Sequence, residues 1–190
     1  MAGAAFIVAL LGAALGIAAK LSLAAALLAY FVHFPPIHGL GYIARTSNLI
    51  PVVLAILLVA PPEQIMAVQL AVAAVYFSAG VAKLRASGLR WADGVALQGY
   101  MVQAYMWHEK PAALWISRRR WLCAGLSAVV LMWEVTFPAA IFFPHVVWIW
   151  VFVGVLFHIS TSVLMRIHYW IYFGPAYFAF IAEWLAGRIQ

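Results

Sequence analysis

The chain has 190 residues, of which 68% are hydrophobic and 8% charged, and its mean hydropathy is +1.04. Such a composition excludes an ordinary water-soluble domain, and the length leaves room for one membrane bundle with short connections, so residues 1–190 are expected to form a single transmembrane helical domain. The +6 charge shows no aromatic-interleaved basic surface of a nucleic-acid binder and suits membrane lipid headgroups, while the lone Cys123 excludes an intramolecular disulfide and a cysteine-based metal cage.

About 20 apolar residues carry a helix across a bilayer, and on that basis the chain reads as an all-α, polytopic bundle of about five or six hydrophobic helices. The first span is expected from about Ala4 to Val32, with Lys20 snorkelling or facing protein. Residues 1–20 have no basic n-region and the apolar run continues past them, so they read as a retained helix rather than a secretory leader. The stretch Phe34-Pro35-Pro36-Ile37-His38-Gly39 ends that span. A second, from about Asn48 to Ala60, is bounded by prolines and short enough to be a half-span. The third covers about Ile65 to Leu84. In the following Arg85 to Arg120 segment, the apolar, aromatic portion Val95 to Trp107 reads as an interfacial helix at the membrane surface. A fourth span from Trp121 to about Phe143, a fifth from Val146 to about Met165 and a shorter aromatic segment from Tyr169 to Leu185 complete the bundle.

The Arg85 to Arg120 segment holds 6 of the 11 basic residues and is therefore expected to be cytoplasmic, whereas the Pro61-Pro62-Glu63 connection has no positive charge. Threading back through three spans puts Met1 outside.

Polar residues inside apolar spans need a protein partner, a cavity or a ligand, because hydrocarbon cannot hydrate them. On the third helix Gln69, Ala73, Tyr76, Gly80 and Lys83 recur at steps of three and four, forming one stripe that should face protein. Gly80, one turn before Lys83, allows another backbone or a flat ligand to approach closely. On the fifth, Gly154, His158, Ser162 and Arg166 recur every four residues with Thr161 beside them. On the fourth, Glu134 is an acid within a span, costing about 3 kcal/mol or more at bilayer depth, so it should be protonated or paired with Lys83, His158 or Arg166. Spacing alone leaves two readings open: Lys83 snorkels or locks helices with Glu134, or the group handles protons and a ligand. No two histidines have the i, i+4 spacing of a helical metal site, and no metal is expected. Walker, dinucleotide and nucleophile-elbow patterns are missing as well.

The run Tyr76-Phe77-Ser78-Ala79-Gly80-Val81-Ala82-Lys83-Leu84, followed by Trp91 and Gly94, resembles the membrane region of vitamin K-dependent gamma-carboxylase and its bacterial relatives, the HTTM-domain proteins. Glu134 with Pro138 resembles the family's acidic-proline helix, and Phe157-His158-Ile159-Ser160-Thr161 its Phe-His segment, so that the likeness covers about Leu49 to Glu183. The resemblance implies a bacterial inner-membrane protein that handles a quinone or another lipid-soluble substrate. It implies Lys83 as base; the polar positions add Glu134 as charge partner and His158 as hydrogen-bond donor or relay, with Tyr76, Gly80, Trp91, Ser162 and Arg166 expected to line the ligand. Chemistry permits this, because an apolar site disfavours a charged ammonium and so favours an amine able to accept a proton. Two departures argue against full carboxylation of protein substrates: Ala82 stands where the carboxylase has a second lysine, and its large extramembrane region has no counterpart. The competing expectation is a non-catalytic subunit or assembly factor with protein partners in a larger membrane complex.

Overall fold

The computed structural model describes residues 2–38, 49–59 and 64–186, and these are all-α with two short 3-10 turns. The expected Pro61-Pro62-Glu63 connection and Gly39 lie outside the described residues. The chain forms two compact units, Met1–Ala71 and Val72–Gln190.

In the first unit, α1 (Ala2–Ala14) and α2 (Ala19–His38) are the two arms of a hairpin. The chain reverses where Gly16 takes φ +72° and Ala18 φ +43°, and the Ser22 hydroxyl donates to the Ile17 carbonyl at 2.7 Å to close the turn. Phe6 of α1 then meets Tyr30 of α2 with ring centroids 6.1 Å apart, and Ala26 and Leu54 complete that core. Leu54 belongs to α3 (Leu49–Val59). The Gln64 amide, at the start of α4 (Gln64–Ser87), donates to the Leu57 carbonyl at 3.1 Å.

In the second unit α4 runs on through a 3-10 turn, Gly88–Asp93, into α5 (Val95–His108), α6 (Pro111–Ser117) and α7 (Arg120–Thr136). Gly94 has φ +84°, and a Cβ there would lie 2.5 Å from the Ala124 backbone nitrogen, so this glycine seats the turn directly on α7. Met101 and Ala104 of α5 bury against Ala113 of α6, with Leu164 and Met165 packed on the same cluster. The Gln98 amide bonds the Ser117 carbonyl at 2.7 Å, tying α5 to the end of α6. After α7 come α8 (Ala139–Phe142), a 3-10 turn Pro144–Val146, α9 (Val147–Met165) and α10 (Trp170–Ala186).

These elements correct the expected span count. Among the described residues two segments are long and apolar enough to cross a membrane, Gln64–Asp93 and Pro144–Met165, not five or six. The Ala4 to Val32 run fails because it folds back at Gly16, which leaves apolar helical stretches of Gly3–Ala14 and Ala19–Val32, each about 20 Å long against a hydrocarbon core of about 30 Å. The Trp121 to Phe143 run is interrupted at Phe137–Pro138, where proline supplies no backbone N–H. The expected third and fifth spans survive, and the expected second span is 11 residues long. An α-helix does occupy the Val95 to Trp107 stretch, with α6 following it.

Candidate functional site

The third-helix stripe is buried where spacing placed it: Gln69, Ala73, Tyr76 and Gly80 are all inaccessible, and Lys83 is partly so. Gly80 explains how two charged side chains meet. A Cβ at Gly80 would lie 2.8 Å from the Val135 side chain and 3.1 Å from the Val135 backbone nitrogen, so α4 and α7 touch backbone to backbone at this level. One turn further along α4, the Lys83 ammonium hydrogen-bonds both carboxylate oxygens of Glu134. The pair is asymmetric, with the Lys83 side chain 21% exposed and that of Glu134 4%. A buried carboxylate without a partner would cost several kcal/mol, on the order of its desolvation, and Lys83 supplies that partner. The Lys83 ammonium also lies 5.6 Å from the ring centroid of half-buried Trp91, a flat aromatic neighbour within cation–π range.

A second polar group lies on the same helix about two turns earlier, roughly 10 Å away along its axis. The Tyr76 hydroxyl is joined to His158 Nε2 at 2.7 Å and to the Tyr177 hydroxyl at 2.6 Å, so α4, α9 and α10 share one hydrogen-bonded chain. Aromatic rings seal it. Tyr76 packs 4.5 Å from both Trp133 and Phe137 and 5.2 Å from Phe173, while the His158 ring stacks on Phe173 at 5.2 Å. Gly154, one turn before His158, makes room for Tyr177, since a Cβ there would collide with the Tyr177 hydroxyl and stand 2.8 Å from Trp133. The Nδ1 atom of His158 is buried and has no hydrogen-bond partner among the described residues.

The structure thus gathers the expected residues into two groups rather than one. Lys83, Glu134, Gly80 and Trp91 meet at the α4–α7 contact, and His158 joins Tyr76. Among the described residues no direct hydrogen bond joins Lys83 or Glu134 to Tyr76 or His158, although Trp133, next to Glu134 in sequence, packs on Tyr76. Tyr76 is enclosed by its own aromatic neighbours and belongs to the His158 group rather than to the surroundings of Trp91. Ser162 and Arg166 stand apart from both. The Ser162 hydroxyl bonds the Ile167 carbonyl at 3.2 Å, and exposed Arg166, with φ +54°, caps α9 by donating its N–H to the Ser162 carbonyl. Among the described residues no three His, Cys, Asp or Glu side chains cluster as a metal site would require.

Sequence reasoning missed Tyr177, Phe173 and Trp133. Phe173, Tyr177 and Phe180 recur at steps of four and three and are all buried, which was the available signal.

An HTTM-domain family model matches residues 59–184, which is more than half of the chain and contains both polar groups. No curated protein and no solved structure matches it. By that match, and with the paired Lys83 and the buried His158 both inside it, the chain belongs to the HTTM-domain family.

Proposed function

We propose that this protein is an integral membrane enzyme that performs acid–base chemistry on a lipid-soluble, quinol-like substrate at the Lys83–Glu134 pair. The observation that carries the reading is the pair itself: a lysine hydrogen-bonded to a buried carboxylate, left partly open, beside a flat indole. Family membership and the resemblance of the Tyr76 to Leu84 run to vitamin K-dependent gamma-carboxylase support it.

In this reading the proton of the pair rests on Glu134 in the reactive state, leaving Lys83 as a free amine. The amine takes the proton of the substrate hydroxyl, and the ammonium so formed stays hydrogen-bonded to the Glu134 carboxyl while its charge is balanced by the substrate oxyanion beside it. Trp91 offers a surface on which a planar ring can stack, next to the amine. From the family resemblance we place the protein in a bacterial inner membrane, with the Arg85 to Arg120 segment cytoplasmic on the strength of its 6 of 11 basic residues.

The same pair supports a second reading, a helix lock in a non-catalytic subunit of a membrane complex, because Gly80 holds α4 and α7 in contact one turn away. Purification in mild detergent, followed by mass spectrometry of co-purifying lipids and proteins, separates the two. A stoichiometric quinone that Lys83→Arg still retains, with quinol-dependent turnover abolished, is the expected result, since guanidinium keeps the charge but stays protonated. A stoichiometric protein partner without quinone favours the subunit reading, and undiminished turnover in Lys83→Arg removes Lys83 from the mechanism.

A further inference from the structure

We propose that the groove between α5 and α6 is a binding site for the headgroup of an anionic phospholipid. The groove has a volume of about 650 Å³ and is lined by Tyr105, Pro111, Leu114, Trp115, Arg118 and Arg119. That volume lies within the range of about 300–1,000 Å³ in which small-molecule sites fall.

Its chemistry divides by position. Arg118 and Arg119 bring two guanidinium groups to the groove, and neither takes part in an ion pair among the described residues; the pairs found there are Lys83–Glu134 and Arg120–Asp93. Arg119 is held in place: its guanidinium lies 3.7 Å from the Trp115 ring centroid, and its Nη1 donates to the Trp115 carbonyl at 2.8 Å. Stacking fixes the plane of the fork while leaving other N–H donors free for a phosphate, which guanidinium binds in bidentate fashion. Exposed Arg118 supplies a second donor. Pro111 and Leu114 give the groove an apolar side suited to the first carbons of an acyl chain, and Tyr105 and Trp115 are of the type that settles at headgroup depth. The residues 109–120 contain Lys110, Arg118, Arg119 and Arg120 against the single acid Glu109, so the surroundings favour an anion over a zwitterion.

This site uses none of the Lys83 machinery but rests on the membrane location proposed above, which is tested separately by whether the protein leaves the membrane fraction only with detergent. The site itself is tested on delipidated protein in detergent, offered equal amounts of phosphatidylglycerol and phosphatidylcholine and followed by native mass spectrometry. One phosphatidylglycerol per chain is expected to be retained at least about tenfold better than phosphatidylcholine, and Arg118→Gln with Arg119→Gln should lower its retention about tenfold or more. Exposed arginines outside the groove serve as controls, and Arg85→Gln with Arg90→Gln should leave retention unchanged. Because Arg119 also braces α6, Arg118→Gln alone, which removes no hydrogen bond, keeps the test valid should the double variant melt early. Three outcomes overturn the proposal: equal retention of both lipids, equal loss in the control variants, or displacement of the lipid by millimolar inorganic phosphate, which would make free phosphate the ligand.

Discussion

Removing one half of the Lys83–Glu134 pair should not cost the same as removing the other. Lys83→Met strands a carboxylate whose side chain is 4% exposed, whereas Glu134→Gln strands an ammonium that is already 21% exposed and can bend toward a polar surface. Loss of a partner from a buried pair costs about 3–5 kcal/mol, and Lys83→Met is expected near the top of that range with Glu134→Gln below it, as read by thermal unfolding in detergent. In the other group, Tyr177→Phe loses one hydrogen bond and should cost about 1 kcal/mol, while Gly154→Ala should cost about 2–3 kcal/mol because its methyl meets Tyr177 and Trp133. The visibility of these residues in the sequence follows their contrast with their surroundings. A lysine, a glutamate or a histidine stands out in an apolar run, so Lys83, Glu134 and His158 were legible. Tyr177 did not stand out, because the 169–185 stretch is aromatic throughout and the useful atom is a single hydroxyl.

At the level of elements, hydropathy measures how much apolar chain is present but not where the backbone turns. Residues 4–32 are apolar apart from Lys20 and Ser22, yet the helix reverses at Gly16 and Ala18, since a left-handed conformation in so small a pair of residues leaves no mark on an average. The expected third and fifth spans themselves, Ile65 to Leu84 and Val146 to Met165, contain no left-handed residue, and their helices were legible. Two other glycines separate backbone conformation from packing. Gly88 has φ +60° and nothing within 4 Å of its missing Cβ, so Gly88→Ala should cost about 1–2 kcal/mol for conformation alone. Gly94 has φ +84° and the α7 backbone 2.5 Å away, so Gly94→Ala should add an overpacking cost of about 1–3 kcal/mol. Parallel melts of the two variants check this, and equal midpoints would show that the turn does not rest on α7 as described.

For the whole molecule, the orientation proposed from charge is open to a labelling experiment. Ser117 is a poor reporter because it is buried with its hydroxyl on the Leu114 carbonyl, whereas Ser87 is exposed at the end of α4. In a Cys123→Ala background, Ser87→Cys should resist a membrane-impermeant thiol reagent in intact cells and react after permeabilisation. Labelling from outside would invert the orientation. The hydrogen-bonded chain through Tyr76 binds three helices of the second unit to the protonation pattern of one imidazole. It can run in two directions. When Nε2 carries the hydrogen, His158 donates to Tyr76, Tyr76 donates to Tyr177, and the last hydroxyl hydrogen has no taker among the described residues. When Nδ1 carries it, Tyr177 donates to Tyr76, Tyr76 donates to Nε2, and the Nδ1 hydrogen has none. Each direction leaves one orphan donor, at a cost of about 1–3 kcal/mol, so the two tautomers are nearly balanced. Nitrogen-15 spectra of labelled histidine should therefore show both tautomers of His158 in exchange, each with its own orientation of two tyrosine hydroxyls on α4 and α10.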